Sequence, residues 1–388
     1  MKEWIKISDL LFFQEGPGVR NTQYTQSGVK LLNVANLVNG KVDLSTSDRY
    51  ISEDEAFGRY KHFLCDDGDF IIASSGIKVE YFDKKMGFVD SSMLPLCMNT
   101  STIRFKVIDS ERLNIKYFMY YLKSLHFKQQ LSKFITGSAQ LNFGPSHLKK
   151  MNMPLVSLKE QNDIVEKLSK VELLLDKYNG EIKLLDELIK ARFVEMFGDP
   201  IENQKNWQIV KIRDIVTDVR YGTSKPAVEG GKYPYLRMNN LTVDGGLDLS
   251  DLKYIDIPDN EIEKCVVRKG DILFNRTNSI DLIGKTAVFN LLDDMVIAGY
   301  IIRIRLNDQI LPDVFSQYMN LEAMKKVLKG MAKGAVNQAN INAQELQSIK
   351  VYIPNMELQK QYVEFKEEID KSRLLNNHLL FLLKSITF

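Results

Sequence analysis

Two stretches of the chain repeat nearly the same phrase at half a chain length. Residues 30–45 read KLLNVANLVNGKVDLS, and residues 234–250 read PYLRMNNLTVDGGLDLS. Asn36 and Asn240 occupy corresponding places, 204 positions apart in a chain of 388 residues. Because solenoid repeats have periods of about 20–50 residues, a period near 200 indicates two similar domains.

Further matches occur in the same order along both halves. An offset of 200 in the last of them pairs Gln161 with Gln361. Small changes of offset between the matches indicate short loop insertions, so the chain is predicted to be an internal duplication. The matched segments are DGDFIIA (67–73) with KGDILFN (269–275), STIRFKV (101–107) with YIIRIRL (300–306), TGSAQLNF (136–143) with KGAVNQANI (333–341), and MPLVSLKEQ (153–161) with IPNMELQKQ (353–361).

Each copy begins with about 155 residues that share one sequence pattern. Short β-branched or aromatic runs are broken by Gly, Asn and Asp, as in GDFIIASSG and GDILFNRTN. This pattern predicts a β-rich domain with many turns. One helix is predicted to interrupt the strands in each copy, over residues 116–134 in the first and 312–330 in the second.

The segment that follows the first copy has helical spacing. Residues 158–197 contain no proline and one glycine, Gly180. Apolar residues recur at alternating steps of three and four, which is the seam of a coiled-coil helix that needs a partner. FGDP (197–200) is predicted to end it, because glycine and proline do not continue a helix. The seam residues are Leu168, Val171, Leu175, Tyr178, Ile182, Leu185, Ile189 and Met196.

The end of the second copy has the same spacing. Its seam contains Ser372 and Asn376, and polar residues in a seam often fix its register. The expected partner of each helix is the other helix, and the alternative is an ordinary amphipathic helix packed on its own domain. The seam residues are Tyr362, Phe365, Ile369, Ser372, Asn376, Leu379, Leu383 and Ile386.

These patterns predict an α+β fold with an internal pseudo-twofold repeat. Two similar β-rich domains, residues 1–157 and 201–357, are expected to be separated by two long antiparallel coiled-coil helices, residues 158–200 and 358–388. At 1.5 Å per residue the first helix would reach ~60 Å. A pair of related modules with such a spacer suits a target with two separated binding positions, such as half-sites on duplex DNA, which repeats every ~34 Å.

Composition and motifs exclude several classes of function. The net charge of +2 gives no strong field toward a polyanion, so DNA would have to meet local basic loops. No apolar run is long enough to cross a membrane, and the start lacks an export signal, so a cytoplasmic location is expected. Three scattered cysteines and four histidines give neither a disulfide framework nor a metal site. No phosphate-binding, dinucleotide-binding, adenine-methyltransferase or hydrolase motif is present, so no catalytic residue is predicted.

The polar loops of both copies carry the side chains that read DNA. Arginine pairs with guanine through two hydrogen bonds, and Asn or Gln pairs with adenine in the same way. Lysine and hydroxyl groups suit phosphates. The alternative is that loops are generally polar and that Asn tolerates turns. The predicted DNA contacts are Arg20, Asn21, Gln23, Tyr24, Asn33, Asn36, Ser74, Ser75, Lys78, Gln140 and Asn142 in the first copy, and Arg220, Tyr221, Thr223, Lys225, Arg237, Asn239, Asn240, Asn275, Arg276, Thr277, Asn278, Lys285, Gln338 and Asn340 in the second.

Matching loops of the two copies differ in charge. Asn33 corresponds to Arg237, and Ser74 corresponds to Arg276. Such differences on one scaffold suit two modules that read two different sequences.

The duplication, the heptad helices and LLDELIKARFVEMFGDP (184–200) occur together in this sequence. On these features, the whole chain resembles the specificity subunit of type I restriction–modification enzymes. GSAQLNF (137–143), KGAVNQANI (333–341) and GDILFNRTNS (270–279) carry the rest of the resemblance. Two departures are that Lys360 and Gln361 replace an expected Glu-Gln pair, and that the closing helix is about nine residues shorter.

The resemblance implies a division of labour. Each recognition domain would read one half of a split site in double-stranded DNA, and the helices would set the gap and bind two modification subunits. Those subunits would use S-adenosylmethionine to methylate adenine. Restriction subunits would join to cleave unmethylated DNA with ATP and Mg²⁺. This chain would bind none of these cofactors and would carry no catalytic residue.

Two hypotheses of other classes remain open at this stage. One is an assembly scaffold whose globular ends bind proteins, which would form complexes whether or not DNA is present. The other is a self-contained hydrolase or methyltransferase, which would act on DNA or S-adenosylmethionine without a partner.

Overall fold

The computed structural model describes residues 3–133, 141–335 and 338–387. Gln140, one of the predicted DNA contacts, lies outside these residues. The chain forms two compact units: unit 1 comprises Met1–Leu175 and Leu382–Phe388, and unit 2 comprises Asp176–Phe381. Each long helix contributes to both units, and the division into four sequence segments stays a prediction.

Unit 1 is built mainly from short strands, as its alternation of apolar runs and turn residues predicts. Its central sheet has the order β2-β11-β7-β9 and is antiparallel. A second sheet, β10-β3-β6, pairs β3 with β10 in parallel. The strands are β1 Glu3–Lys6, β2 Leu11–Glu15, β3 Val29–Leu32, β4 Leu37–Val38, β5 Lys41–Val42, β6 Tyr50–Ile51, β7 Phe70–Ala73, β8 Ser75–Ile77, β9 Met86–Phe88, β10 Leu96–Met98, β11 Thr102–Val107, β12 Leu141–Asn142 and β13 Asn152–Leu155, and the helices are α1 Glu53–Phe57, α2 Ile115–Lys123, α3 Leu125–Ser132, α4 Pro145–Leu148 and α5 Leu158–Phe197.

Unit 2 repeats the central sheet of unit 1, and its second sheet has one strand more. Its central sheet has the order β15-β23-β19-β21, and β16 pairs with β22 in parallel within a second sheet. The internal duplication is therefore confirmed at the level of strand order. The strands are β14 Gln208–Lys211, β15 Val216–Tyr221, β16 Tyr233–Leu236, β17 Lys253–Ile255, β18 Val266–Val267, β19 Ile272–Asn275, β20 Thr277–Asn278, β21 Thr286–Val288, β22 Met295–Ile297, β23 Ile301–Leu306, β24 Lys333–Ala335, β25 Gln338–Asn340 and β26 Lys350–Ile353, and the helices are α6 Asp259–Cys265, α7 Pro312–Asn320, α8 Glu322–Met331, α9 Ala343–Ser348 and α10 Met356–Thr387.

The first and last strands of each globular part pair with each other. Strand β1 is antiparallel to β13, and β14 is antiparallel to β26. In each unit a hydrophobic core lies beside the central sheet, with Phe70, Phe105 and Phe118 in mutual ring contact in unit 1. The two ends of each β-rich part therefore lie side by side.

The single helix predicted within each copy is two helices in the structure. Ser124 adopts extended backbone angles, φ −68° and ψ 151°, between α2 and α3, and its hydroxyl accepts a hydrogen bond from the Phe127 amide. Leu321 separates α7 from α8 with almost the same angles, φ −63° and ψ 146°. The prediction of one continuous helix is wrong because one extended residue is enough to turn the chain while the apolar spacing continues.

The two long helices are present where their spacing predicts them. Helix α5 covers Leu158–Phe197 and ends at Gly198, whose φ of +83° is the left-handed conformation that suits glycine. Helix α10 begins two residues earlier than predicted, at Met356. Among the described residues, no helix is both long and apolar enough to cross a bilayer.

Within unit 2 the two helices run antiparallel against each other. Residues later in α5 contact residues earlier in α10. Asn376 donates to Glu181 at 3.4 Å, and Arg373 pairs with Asp186 at 3.0 Å. The Arg192 guanidinium lies 5.8 Å from the Phe365 ring centre. Near the end of α5, the Phe193 and Tyr362 rings are 5.3 Å apart. The predicted antiparallel pairing is confirmed for this part of the helices.

The predicted seam residues considered below are at least partly buried, with one exception. Every predicted position in α5 is partly or fully buried, and so are Phe365, Ile369, Asn376, Leu379 and Leu383. Ser372, however, is exposed, and Arg373 is half-buried instead. Arg373 replaces it because this arginine forms ion pairs with Asp186 on α5 and with Asp244. Pairing of Leu168, Val171 and Leu175, which belong to unit 1, stays a prediction.

A buried glutamine at the start of each long helix corrects the alignment of the two copies. The Gln161 side chain accepts from the Asn114 amide at 2.9 Å and donates to the Arg112 and Val156 carbonyls. Gln359 accepts from the Leu311 amide at 2.8 Å and donates to the Gln309 and Pro354 carbonyls. Gln359, not the exposed Gln361, is therefore the counterpart of Gln161, and the offset here is 198.

Candidate nucleic-acid interface

The two asparagines of the repeated phrase are structural. Asn36 and Asn240 are 0% and 2% exposed. Asn36 accepts from the Asn33 amide and donates to the Asp43 carbonyl. Asn240 accepts from the Arg237 amide and donates to the Asp248 carbonyl. Their prediction as DNA contacts is wrong, because each side chain lies in the interior and closes a turn.

Four further predicted contacts are also buried. Asn275 donates to the Thr277 and Tyr300 carbonyls, and the Lys285 ammonium donates to the Met238 carbonyl at 2.7 Å. Asn33 accepts from Asn99 at 2.8 Å. These side chains serve the fold, so their prediction as surface contacts is corrected. The four residues are Asn33, Ser74, Asn275 and Lys285.

The remaining predicted contacts of unit 1 lie at its surface or partly within it. Gln23 is held by the fold, since it donates to Glu55 at 2.6 Å and to the Tyr60 hydroxyl at 3.0 Å. Ser75 donates to Ser101 at 2.7 Å. The residues at the surface are Arg20, Asn21, Lys78 and Asn142, and those partly buried are Gln23, Tyr24 and Ser75.

Unit 1 also presents an arginine that the sequence patterns missed. The Arg49 guanidinium lies 5.3 Å from the Tyr24 ring centre, and the Tyr24 hydroxyl accepts from Asn99 at 3.4 Å. Arg49 follows a run of small polar residues without a turn signal of its own, so no sequence feature distinguishes it.

A basic groove of about 390 Å³ lies beside the loop that follows β8. Lys78, Tyr81 and Lys84 line it, and the Lys84 ammonium lies 5.3 Å from the Tyr81 ring centre. All three side chains are exposed. Lysine ammonium groups in such a groove suit phosphate oxygens, while an exposed tyrosine offers a stacking face.

Unit 2 gathers five of its predicted contacts around one cleft of about 460 Å³. Loops that are distant in sequence form it, and the residues lining it include no carboxylate. The basic side chains among these residues contribute hydrogen-bond donors to the cleft. The predicted contacts in the cleft are Thr223, Lys225, Arg237, Asn239 and Arg276, and the lining residues that the sequence patterns missed include Met238, Gly299 and Tyr300.

Arg276 is held in this cleft by an aromatic ring and a backbone carbonyl. Its guanidinium lies 4.8 Å from the Tyr221 ring centre and donates to the Gly299 carbonyl at 3.4 Å. The Tyr221 hydroxyl in turn accepts from the Ala343 amide at 2.8 Å. The chain separates Tyr221 and Arg276 by 55 positions, so no local pattern predicts that they stack.

The two other cations of the cleft are paired with carboxylates. Arg237 contacts Asp251 at 2.7 Å, and Lys225 contacts Glu261 at 2.9 Å. Hydrogen bonding from Arg237 and from Lys253 lowers the pKa of Asp251, which keeps this carboxylate ionised at neutral pH.

The other predicted contacts of unit 2 lie outside the cleft lining. Arg220 pairs with Asp218 at 2.9 Å, Thr277 donates to Asn340 at 2.9 Å, and Asn278 donates to the buried Asn275. Gln338 is exposed. Tyr221 is about half exposed, although its ring carries Arg276.

Two lysines of unit 2 are withdrawn from water beneath this region. Burial, with a smaller contribution from the charge of Lys285, lowers the pKa of Lys325 to about 7. Lys325 donates to Asn320 at 2.7 Å and to the Gly284 carbonyl. Burial also lowers the pKa of Lys285. The corresponding lysine of unit 1, Lys128, instead pairs with Asp83 at 3.1 Å.

No group of His, Cys, Asp or Glu side chains in the described ranges is arranged to hold a metal ion. All three cysteines are unpaired and buried. Desolvation raises the pKa of Cys65 and of Cys97 to about 12, so neither thiol is poised as a nucleophile.

The chain is similar to specificity subunits of type I restriction enzymes. The type I restriction enzyme EcoKI specificity subunit of Escherichia coli K12 is 22% identical over 266 residues, which cover 64% of this chain and 57% of that protein. The type I restriction enzyme MjaVIII specificity subunit of Methanocaldococcus jannaschii is 26% identical over 178 residues, covering 45% and 40%. The chain thus matches about half the length of these curated relatives.

Solved structures share the fold over the whole chain. The S subunit of a type I restriction–modification system from M. genitalium aligns with 100% of this chain and 94% of its own, with a TM-score of 0.58 and 16% identity. A chain from a type I system, studied for complex assembly and conformational transition, aligns with a TM-score of 0.52 and 16% identity, over 100% and 95%.

The family profile described as type I restriction modification DNA specificity domain matches this chain twice, over residues 2–185 and 204–384. The two matches coincide with the repeated strand order of units 1 and 2. The chain therefore belongs to the family of type I restriction modification DNA specificity domains, of which it carries two copies.

Proposed function

We propose that this chain is the DNA specificity subunit of a type I restriction–modification complex and that it recognises DNA without catalysing a reaction. The observation that carries the proposal is the cleft of unit 2. There, Arg237, Asn239 and Arg276 meet in a lining without carboxylates, on a domain of the DNA specificity family. Such a surface suits an anionic duplex whose base edges offer hydrogen-bond acceptors.

Each unit reads one half of a bipartite site. The support is that the two units share strand order but differ in the side chains that they present. Unit 2 presents Arg276 where unit 1 has the buried Ser74, whereas unit 1 presents Arg49, Lys78 and Lys84. Two modules that carry different polar groups on one scaffold suit two different half-sequences.

The methyl donor and the nucleotide belong to partner subunits in this proposal. Two modification subunits supply S-adenosylmethionine and methylate adenine, and restriction subunits supply the ATP- and Mg²⁺-dependent activity. The adenine is taken out of the duplex by the modification subunit, since methyltransferases act on a flipped base.

The long helices set the gap between half-sites and dock the modification subunits. Helix α5 has 40 residues and α10 has 32, so they extend ~60 Å and ~48 Å. Off the seam, Leu184 and Leu188 are 64% and 45% exposed, one turn apart on α5. Leu374, Leu375 and Phe381 are exposed on α10. Apolar side chains exposed along a helix pair suit packing against partner helices.

The proposal is tested by sequencing the methylome of a host that expresses the chain with its modification subunit. Methylated adenines are expected in one bipartite motif, and only when both proteins are present. A methylome without a bipartite motif, in cells that contain the assembled complex, contradicts the proposal.

The role of the helices in setting the gap has its own test. A seven-residue insertion into α5 after Leu175, matched by one in α10, retains the seam pattern and lengthens each helix by ~10 Å. Both half-motifs are expected to stay the same while the number of bases between them changes. An unchanged gap in a folded variant contradicts this role.

Docking is tested by the double substitution Leu184→Asp and Leu188→Asp. Both side chains are exposed, so the fold is expected to be retained while copurification of the modification subunit falls at least tenfold. The matched control is Lys183→Gln with Lys190→Gln, which changes exposed positions of the same helix with the same change in net charge. Equal loss in both double variants would point to charge and not to an apolar contact.

A further inference from the structure

Arg276 occupies a position that is fixed by its backbone. Its amide donates to the Tyr300 carbonyl at 2.9 Å, and its own carbonyl accepts from the Ile341 amide at 2.9 Å. It lies between β19 and β20, each of which is paired to another strand. The side chain therefore starts from a rigid point, which lowers the entropy lost when it binds a partner.

The guanidinium plane is also fixed. Tyr221 supports one face at 4.8 Å, and the tyrosine is held by its hydroxyl on the Ala343 amide. The Gly299 carbonyl accepts one Nη1–H at 3.4 Å. Among the described residues the second Nη1–H and both Nη2–H groups have no other partner. This leaves the end-on pair of donors that a bidentate contact requires.

The charge of Arg276 is not compensated by an acidic partner in the described part of the chain. Among the residues that the structure describes, it pairs with no carboxylate, whereas Arg237 and Lys225 of the same cleft pair with Asp251 and Glu261. A cation that is held rigidly without an anion, in a cleft without acidic lining, favours an external acceptor.

The arrangement of donors selects one base. In the major groove guanine presents two adjacent acceptors, N7 and O6. Cytosine presents a donor, adenine one acceptor and one donor, and thymine one acceptor beside a methyl group. Only guanine satisfies both terminal nitrogens of a guanidinium that approaches end-on.

The same position of unit 1 has no such group. Strand pairing aligns Arg276 with Ser74: the Ser74 amide donates to Ser101 and its carbonyl accepts from Phe143, as the Arg276 backbone does with Tyr300 and Ile341. Ser74 is buried and has a short neutral side chain. A contact made by Arg276 is therefore confined to the half-site of unit 2.

We propose that Arg276 reads a guanine through N7 and O6 in the major groove of the half-site bound by unit 2, with Tyr221 as its positioning residue. This inference rests on the proposed function, and it adds a base identity that the family does not determine. Replacement of that guanine is expected to weaken binding by roughly 5- to 150-fold, the range for one bidentate contact.

The test selects duplexes from a library in which both half-sites are randomised, using the full chain purified with its modification subunits. The wild type is expected to enrich a bipartite motif with an invariant guanine in one half. Arg276→Ala is expected to lose the preference at that single position and to retain the other half. Arg276→Lys is expected to lose it as well, while the salt dependence of binding stays unchanged because the charge remains.

Two arginines serve as matched controls. Arg268 lies in unit 2 and is paired with Glu263 and Asp294, so Arg268→Ala should retain the guanine. Arg49 stacks on Tyr24 in unit 1, so Arg49→Ala is expected to affect only the half-site bound by unit 1 and to retain the guanine.

Substitution of 7-deazaguanine at the selected position isolates the N7 acceptor. It is expected to weaken binding by the wild type at least fivefold and to have no effect on Arg276→Ala, since the contact is already absent there. The wild-type measurement needs no variant, so equal binding of the 7-deaza duplex overturns the assignment even where Arg276→Ala is unstable.

The outcomes separate this inference from the proposed function. A wild type that enriches no motif contradicts the proposed function itself. A bipartite motif without a position that depends on Arg276, or a guanine whose 7-deaza form binds equally well, overturns only the assignment of Arg276.

Discussion

The two β-rich units differ most where their loops meet solvent and least in the buried polar bonds beneath. Lys85 and Lys285 occupy corresponding positions and donate to corresponding carbonyls, those of Val34 and Met238. Above them, unit 2 opens a cleft with two arginines, whereas Asn33 and Ser74 of unit 1 are withdrawn into the interior. The polar residues that the two copies share thus hold the scaffold, and the residues proposed for recognition are those that differ.

The comparison also shows two ways of presenting a guanidinium. Arg276 is fixed by its backbone bonds, a tyrosine ring and a carbonyl. Arg49 lies over Tyr24 at 5.3 Å and is exposed. A rigid arginine favours discrimination between bases, whereas an exposed one loses more rotamer entropy when it binds.

The largest expected effect tests whether the scaffolds are equivalent. Gln161→Ala and Gln359→Ala each remove a buried amide that makes three hydrogen bonds. Each is expected to destabilise its own unit by about 2–4 kcal/mol, because buried backbone groups lose their partners. Hydrogen exchange measured peptide by peptide would locate the loss. A variant of the exposed Gln361 to Ala serves as the control and should change little.

The second prediction concerns a difference between the units in how their stability depends on pH. The pKa of Lys325 is about 7 in the folded chain, against 10.5 for an ordinary lysine. Between these values the unfolded chain binds a proton that the folded chain does not, so the stability of unit 2 is expected to rise as pH rises from about 7 to about 10.5. Lys325→Met should remove this dependence and stabilise unit 2 by about 1–3 kcal/mol at pH 7.

Lys128→Met in unit 1 is the matched control for that experiment. Lys128 pairs with Asp83, so its replacement is expected to lower stability slightly and to leave the pH dependence of unit 2 unchanged. Urea unfolding at pH 7, 8 and 9 measures both. Hydrogen exchange reports the stability of unit 2 in the wild type. If that stability does not change between pH 7 and 9, the prediction is contradicted.

A smaller effect is expected from the ring beneath Arg276. Tyr221→Leu removes the stacking face and should lower the preference for guanine about tenfold, whereas Tyr221→Phe retains the ring and should lose less than threefold. Competition binding between the selected duplex and one with that guanine replaced measures the preference. Equal losses in both variants would assign the role to the hydroxyl.

The smallest effect concerns the basic groove of unit 1. Lys84→Ala is expected to weaken binding to all sequences alike and to reduce the slope of log K against log salt by about one, as for one lost phosphate contact. Binding titrations at several salt concentrations measure the slope. Lys84→Arg retains the charge and should retain the slope. A change of selected motif with Lys84→Ala would instead indicate a base contact.

Much of the fold could be predicted because its signals are local. The heptad spacing determines α5, and Gly198 determines its end, since each depends on residues within a few turns. The breaks at Ser124 and Leu321 could not be predicted, because one extended residue leaves the apolar spacing intact. The offset of 200 at Gln361 failed because burial, which identifies Gln359, is not visible in the sequence.

The candidate site was harder to predict, for a physical reason. Asparagine suits both a DNA-reading loop and a closed turn, so Asn36 and Asn240 were assigned to the wrong role. The stack of Arg276 on Tyr221 joins two strands that are remote in sequence. The residues next to Tyr300 and Arg49 in the sequence form no recognisable motif. Only their three-dimensional position identifies them.

The pairing of β1 with β13, and of β14 with β26, has a consequence for how such chains change over generations. A module that begins and ends in neighbouring strands can be excised, exchanged or moved to the other end of the gene. Its internal strand order then stays the same. Recombination at these borders would give a new half-specificity in one step, with the other half inherited intact.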